Sequence, residues 1–149
     1  MARRVFFSFH YERDIWRVNV VRNSGLIEGV SAAGFHDASL WEETKRKGSD
    51  AVRRLIDSGL DGTSVTAVLI GAETAQREYV SYEIAKSLSR GNGLLGILIH
   101  NIKDRDGRSD VQGIVPEALR RTSAPIYTWE YGKLGQWVDA AYRASRQNA

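Results

Sequence analysis

The sequence predicts a three-layer α/β domain, in which a mostly parallel central sheet of about five strands carries helices on both faces. Two observations support this fold class. Strand-like and helix-like segments alternate along the whole chain, which is typical of a parallel sheet covered on both sides. Residues 63–71 (TSVTAVLIG) are almost continuously apolar, as expected of a strand buried on both faces.

Strands are predicted from short runs that are rich in β-branched and aromatic residues. The predicted strands comprise residues 5–9, 63–71, 94–100 and 124–129. Pro125 favours an edge position for the last of them. Residues 26–40 fit no single pattern: residues 26–30 suit a strand or an extended loop, and residues 34–37 can end a short strand.

Helices are predicted where apolar residues recur at intervals of three and four. The predicted helices comprise residues 11–23, 48–58, 75–90, 116–121 and 132–146. We expect residues 23–25 (NSG) to end the first helix and Thr74 to cap the third. Pro116 suits the first turn of the fourth helix, and the polar residues 101–115 form a loop.

Several large apolar residues are predicted to lie in the core. Trp16 and Trp129 belong to this group, whereas the position of Trp41 is left open. The inward-facing residues of the last helix are expected to be Leu134, Trp137, Val138 and Ala141.

Length and composition indicate one ordinary domain spanning residues 1–149, with 42% hydrophobic and 26% charged residues. The absence of cysteine excludes disulfides and thiolate chemistry and fits a reducing compartment. The apolar run at residues 5–9 is too short for a signal-peptide core, and no stretch approaches the ~20 apolar residues of a membrane span. We therefore expect a cytoplasmic protein without a membrane partner.

The formal net charge is +3. Acidic and basic residues are interspersed, and no stripe of basic and aromatic residues is visible, so a nucleic-acid partner is not expected. A mildly positive surface also suits a substrate that carries phosphates.

Several chemistries lack their sequence motifs. The chain has no GxGxxG turn after its first strand, no P-loop and no GxSxG elbow. His10, His36 and His100 do not have the spacing of metal ligands, so no metal or cofactor site is predicted.

One carboxylate occupies an informative position. In the helix after the clearest strand, Val80, Ile84 and Leu88 form a predicted inward stripe, and Tyr79 and Glu83 share a neighbouring face. This spacing predicts that Glu83 lies at the edge of the sheet near the strand ends, partly shielded from water. A solvent-exposed glutamate on an amphipathic helix is the alternative that spacing alone leaves open.

The order of the motifs resembles that of TIR domains over roughly residues 5–90. The first strand is followed by a Gly-Phe…Asp…Leu…Gly…Ile run, a buried strand, and a helix with the spacing W-x-x-x-E. The run comprises Gly34, Phe35, Asp37, Leu40, Gly48 and Ile56. The last motif corresponds to Tyr79-Val80-Ser81-Tyr82-Glu83, with tyrosine in place of the usual tryptophan and no cysteine beside it.

The sequence is more similar still to the TIR-like proteins of the bacterial Thoeris anti-phage system. The phrases that carry this resemblance are FSFHY at residues 7–11, VRNS at 21–24, VLIGAETA at 68–75, GNGLLGI at 91–97 and IHNIKD at 99–104. Each phrase alone is weak, but their shared order is specific. The resemblance thins beyond about residue 110.

The resemblance implies a flavodoxin-like TIR fold and an enzyme that cleaves the nicotinamide–ribose bond of NAD, which is its substrate rather than a cofactor. Members of this kind are similar to cyclases that make a cyclic ADP-ribose isomer. That product is a second messenger, made on phage infection, that activates a partner effector. The implied partners are NAD, other TIR-like protomers, the effector reached through the product, and a phage trigger.

The resemblance assigns the catalytic role to Glu83. Phe9, His10, Asp37 and Tyr79 are expected to bind substrate. Core packing for Phe9 and an exposed loop for His10 and Asp37 remain open, and Tyr79 can support Glu83 instead of touching substrate.

Two alternative functions also remain open at this point. One is a plain NAD glycohydrolase, and the other is a non-catalytic TIR-like adaptor that acts by protein–protein assembly.

Overall fold

The central sheet has five strands in the order β2-β1-β3-β4-β5, and every neighbouring pair is parallel. The computed structural model describes residues 3–27, 29–33 and 38–147. The strands are β1 (Arg3–Ser8), β2 (Val30–Ala33), β3 (Val65–Ile70), β4 (Gly93–Leu98) and β5 (Ile126–Thr128). The predicted fold class is confirmed, including β5 at an edge of the sheet.

Helices cover both faces of this sheet. They are α1 (Ile15–Ile27), α2 (Ala38–Arg46), α3 (Ser49–Leu60), α4 (Val80–Ser89), α5 (Glu117–Arg120) and α6 (Leu134–Gln147). Because side chains alternate along a strand, Leu95 packs in a core cluster with Val138 of α6, whereas Leu94 packs in a second cluster with Ile84 of α4. All six residues of β3 are buried, as its continuous apolar sequence predicts.

The strand order places a topological switch point between β1 and β3. The chain leaves β1 toward β2 on one side and later leaves β3 toward β4 on the other. In open parallel sheets, ligands bind at the carboxyl ends of the strands beside such a point. The segments that follow Ser8 and Ile70 are therefore positioned to form a site.

The loop at residues 101–115 folds back across the end of β3. A Cβ on Gly113 would lie 1.9 Å from the carbonyl oxygen of Gly71, so the two backbones are in direct contact. Arg17 of α1 anchors the loop, because its Nε donates to the carbonyl of Ile102 at 2.7 Å and its Nη2 donates to that of Arg108 at 3.0 Å.

The predicted end of the first helix at residues 23–25 is wrong, since α1 continues to Ile27. A Cβ on Gly25 would lie 3.2 Å from side-chain atoms of both Leu134 and Val30. Gly25 therefore serves close packing of α1 against α6 and β2 rather than helix termination.

The prediction that Thr74 caps a helix over residues 75–90 is also wrong. The Thr74 hydroxyl accepts a hydrogen bond from the Gly71 amide at 2.8 Å and donates to the Leu69 carbonyl at 3.3 Å, which closes the turn after β3. A 3-10 turn follows at Thr74–Gln76, and α4 begins only at Val80.

Two predicted core residues are exposed. Trp16 is 48% exposed and Leu88 is 52% exposed, because each lies on the outer side of its helix. Trp41 is buried in α2, a helix that the sequence did not predict. The four inward-facing residues predicted for α6 are all buried, and Trp129 packs against the core.

We predict that Gly93→Ala destabilises the protein by about 2–3 kcal/mol, because overpacking against atoms that cannot move away is costly. The new Cβ would lie 2.3 Å from the backbone oxygen of Ala141 in α6. Urea denaturation would measure the change, with Ser89→Ala at an exposed position as the control. Equal stability of the two variants would contradict the close approach of β4 and α6.

Candidate active site

A cleft of about 150 Å³ opens beside the segment that follows β1. Three parts of the chain form it: the residues after β1, helix α2, and the segment that leads into α4. The lining residues are His10, Tyr11, Glu12, Trp41, Lys45, Arg77, Glu78 and Tyr79. The cleft therefore combines aromatic rings with both cationic and acidic groups.

Glu83 lies in the first turn of α4, and its side chain is completely shielded from water. Its amide donates to the carbonyl of Tyr79, the residue that precedes the helix and also lines the cleft. The sequence predicted partial shielding, and the structure buries the carboxylate entirely.

Both carboxylate oxygens of Glu83 accept hydrogen bonds. The Ser8 hydroxyl donates to Oε1 at 2.6 Å, and the Tyr11 hydroxyl donates to Oε2 at 2.7 Å. Arg77 donates to both oxygens, at 2.5 Å from Nη1 and 3.2 Å from Nη2. A bidentate guanidinium and two hydroxyls thus compensate the cost of burying this charge.

Aromatic rings surround the guanidinium of Arg77. Its central carbon lies 4.1 Å from the centre of the Tyr11 ring and 4.7 Å from that of Trp41. Trp41 in turn makes an edge contact with Tyr79, with 5.7 Å between ring centres. The cation and the rings attract each other, so this packing stabilises Arg77 next to Glu83.

Protonation states around Glu83 follow from this geometry. Burial raises the pKa of Tyr11 well above its ordinary value, and the charge of Glu83 raises it further. Burial alone would lower the pKa of Arg77, but the neighbouring Glu83 carboxylate and Tyr11 reverse that effect and leave it raised. At neutral pH Tyr11 is therefore a neutral donor and Arg77 is a cation.

A second buried carboxylate, Asp14, precedes α1. Arg13 donates to its Oδ1 at 3.3 Å, whereas Oδ2 has no hydrogen-bond partner among the residues that the structure describes. Burial raises the pKa of Asp14. Its carboxylate lies against Gly71, where a Cβ would be 2.1 Å from Oδ2, so its position is tied to the end of β3.

The structure brings together three of the five residues that the sequence proposed for the site. His10 and Tyr79 line the cleft, and Glu83 lies directly beneath it. Phe9 is buried, with its ring 4.3 Å from that of Tyr11, so it lies in the core behind the cleft. Asp37 lies outside the residues that the structure describes.

The three partners of Glu83 were not predicted from the sequence. Ser8 and Tyr11 flank the predicted Phe9 and His10, and their roles depend on contacts across more than 70 positions of the chain. Arg77 precedes Glu83 by six residues, and a basic residue shortly before the predicted carboxylate was the one local signal available.

A second cavity, of about 180 Å³, lies near the amino end of β4. Small and apolar residues of α6 and of the segment before β5 dominate its lining, and none of the described residues that line it carries a titratable side chain. The smaller cleft beside Glu83 is therefore the better candidate for chemistry.

Within residues 3–27, 29–33 and 38–147, no three His, Asp or Glu side chains are grouped so as to hold a metal ion. None of the helices in these residues has both the length and the apolar character needed to cross a membrane.

Comparison with known proteins identifies the family of this chain. Residues 6–104 match the family described as Thoeris protein ThsB, TIR-like domain. This chain belongs to the Thoeris TIR-like family. The matched residues include the end of β1 from Phe6 onward, Glu83 and every residue that lines the cleft.

A curated protein is similar along nearly the whole chain. It is the Bacillus cereus (strain MSX-D12) protein named "Putative cyclic ADP-D-ribose synthase ThsB1", which is 44% identical over 156 residues. The similarity covers 98% of this chain and 81% of the relative.

We predict that Tyr11→Phe lowers the free energy of unfolding by roughly 1.5–3 kcal/mol at neutral pH, the range for a hydrogen bond to a charged group. Tyr131→Phe, at an exposed ring, is the matched control and should change little. Thermal or urea unfolding would measure both.

The same pair of variants has a defined pH dependence. Since the pKa of Tyr11 is raised in the folded state, the unfolded chain releases this proton first, and the wild type loses stability as the pH rises above about 10. The Tyr11→Phe variant lacks this loss, so its free energy of unfolding should approach that of the wild type at alkaline pH. A constant difference would contradict the buried Tyr11–Glu83 contact.

Proposed function

We propose that this protein is an enzyme that cleaves the nicotinamide–ribose bond of NAD and closes the product into a cyclic ADP-ribose isomer. The observation that carries the proposal is the position of Glu83, a buried carboxylate directly beneath a cleft of aromatic and cationic residues. Membership of the Thoeris TIR-like family and the name of the Bacillus cereus relative support the same activity.

The chemistry requires one well-placed negative charge. The bond between the anomeric carbon and the nicotinamide nitrogen breaks, and its electron pair goes to the nitrogen, so nicotinamide leaves as a neutral molecule. The ribose becomes an oxocarbenium-like cation, as in glycoside hydrolysis. A carboxylate facing that ribose stabilises the developing charge, and Glu83 is the candidate.

The cleft residues suit the rest of a dinucleotide. Trp41 and Tyr79 form an aromatic part of the cleft wall that nicotinamide or adenine can contact, and His10 and Lys45 offer donors for phosphate or ribose oxygens. Lys45 is paired with Glu12 at 2.9 Å, which keeps the cation at the rim of the cleft.

Cyclisation and hydrolysis differ only in what attacks the anomeric carbon. In the proposed cyclase, a hydroxyl of the adenosine half forms the new bond and loses its proton. This outcome needs a folded-back substrate and little water near the reacting carbon. In a plain NAD glycohydrolase, water attacks and the product is open ADP-ribose.

In the cell, we propose that the cyclic product acts as a second messenger in anti-phage defence. It would be made in response to a phage trigger and would activate a partner effector. Self-association with other TIR-like protomers is part of the same proposal. Because constant NAD loss would harm a resting cell, the isolated chain is expected to have little activity.

The adaptor alternative has less support from the site. A buried ion pair can often be replaced by packed apolar side chains without loss of stability, so stability alone does not explain why the Arg77–Glu83 pair is present. A catalytic role would explain why the Glu83 carboxylate lies beneath a cleft.

We predict that Glu83→Gln lowers formation of the cyclic product by roughly 10²–10³-fold, the usual effect of removing one group that stabilises transition-state charge. Cells expressing each variant would be challenged with phage, and their extracts analysed by mass spectrometry for a species with the mass of ADP-ribose less one water. Glu43→Gln, at an exposed position on α2, is the matched control.

Each alternative gives a different result in this experiment. Glu83-dependent open ADP-ribose without the cyclic species would favour the glycohydrolase. Defence that survives Glu83→Gln with no change in any nucleotide would favour the adaptor and overturn the proposed activity.

A further inference from the structure

Arg77 separates Glu83 from the cleft. The Arg77 side chain lines the cleft yet is only 6% exposed, and it contacts both oxygens of Glu83. Tyr11 covers the carboxylate from the neighbouring position with its hydroxyl. A ligand in the cleft meets these two side chains before it reaches Glu83.

In this arrangement Glu83 is not available to a substrate. Its two oxygens already accept four hydrogen bonds, from Ser8, Tyr11 and the two Nη atoms of Arg77. The guanidinium also neutralises the charge that an oxocarbenium-like ribose would need. For the proposed reaction, Arg77 must therefore release the carboxylate.

The surroundings of Arg77 allow such a movement. Arg77 lies between the 3-10 turn and α4 in an extended backbone conformation, with φ −72° and ψ 131°, and so is outside both helical elements. Its guanidinium packs against the rings of Tyr11 and Trp41, which support it without fixing its direction in the way a hydrogen bond does. Its buried Nε has no hydrogen-bond partner among the described residues.

The substrate itself carries a competing partner for Arg77. A guanidinium binds phosphate with the same two-pronged geometry that it uses for carboxylate. The pyrophosphate of a dinucleotide would enter a cleft that already presents Lys45, so both cations can act on the same group.

We propose that Arg77 is a gating residue that exchanges partners: it holds Glu83 in the empty cleft and moves to the pyrophosphate of the bound dinucleotide, which leaves Glu83 to face the ribose. This inference rests on the proposed function. In this mechanism, binding of the pyrophosphate releases Glu83 from Arg77, so a nucleoside without phosphates cannot free the carboxylate.

The test compares two substrates of the full-length chain in extracts of phage-challenged cells, where the proposed trigger is present. NAD carries the pyrophosphate, and nicotinamide riboside has the same scissile bond without it. In Arg77→Gln, the ratio of kcat/KM for NAD to that for nicotinamide riboside should fall at least tenfold, through a gain on the riboside and a rise in KM for NAD. Arg77→Lys keeps the charge but not the two-pronged contact, so its ratio of the two kcat/KM values should lie between those of the wild type and Arg77→Gln.

A binding measurement gives a readout that does not depend on turnover. Calorimetry should show that ADP-ribose binds at least tenfold more weakly to Arg77→Gln than to the wild type, with adenosine binding unchanged. Arg90→Gln, which removes a surface arginine paired with Asp61 at the end of α4, is the matched control. If Arg77→Gln is poorly folded, the same comparisons are made with Arg77→Lys.

Other results would overturn the gate. If Arg77→Gln lowers kcat/KM equally for NAD and nicotinamide riboside, Arg77 is only a structural partner of Glu83. If it raises kcat/KM equally for both, Arg77 blocks the cleft and the pyrophosphate has no part in releasing it. ADP-ribose binding that is insensitive to Arg77 would also contradict the exchange. Glu83→Gln in the Arg77→Gln background separates the two proposals: if no turnover in any variant depends on Glu83, the proposed function fails and the gate fails with it.

Discussion

The ion pair between Glu83 and Arg77 is the interaction on which the site depends. A carboxylate with no exposure to water must be matched by a charge and by hydrogen-bond donors, and here these come from β1, the segment after it and the segment before α4. The parallel sheet supplies the geometry, since the ends of β1 and β3 meet at the switch point. The fold therefore brings the donors to the carboxylate.

In the proposed mechanism, the same pair links stability to activity. In the closed arrangement the charge of Glu83 is fully compensated, which favours the folded protein and leaves the carboxylate unavailable for chemistry. Exchange of Arg77 to a phosphate partner would let substrate binding supply the compensation that Glu83 needs while it faces the ribose. If the proposed phage trigger controls the enzyme, such a closed state would keep Glu83 inactive before infection.

Sequence reasoning recovered the parts of the structure with strong local signals. The apolar run of β3, the periodicity of α6 and the position of Glu83 on α4 follow from spacing or from the resemblance to TIR domains. The full burial of Glu83 was not predictable, because Tyr11 reaches it from 72 positions away. The role of Thr74 was misjudged because a threonine that closes a turn resembles one that caps a helix.

A crystal structure with a non-cleavable NAD analogue would test the account most directly. We expect the nicotinamide-side ribose within hydrogen-bond distance of Glu83, about 3 Å, with the guanidinium of Arg77 on the pyrophosphate. An analogue bound elsewhere, with the Arg77–Glu83 pair intact and the carboxylate remote from the ribose, would contradict the assignment of Glu83 as the reaction centre.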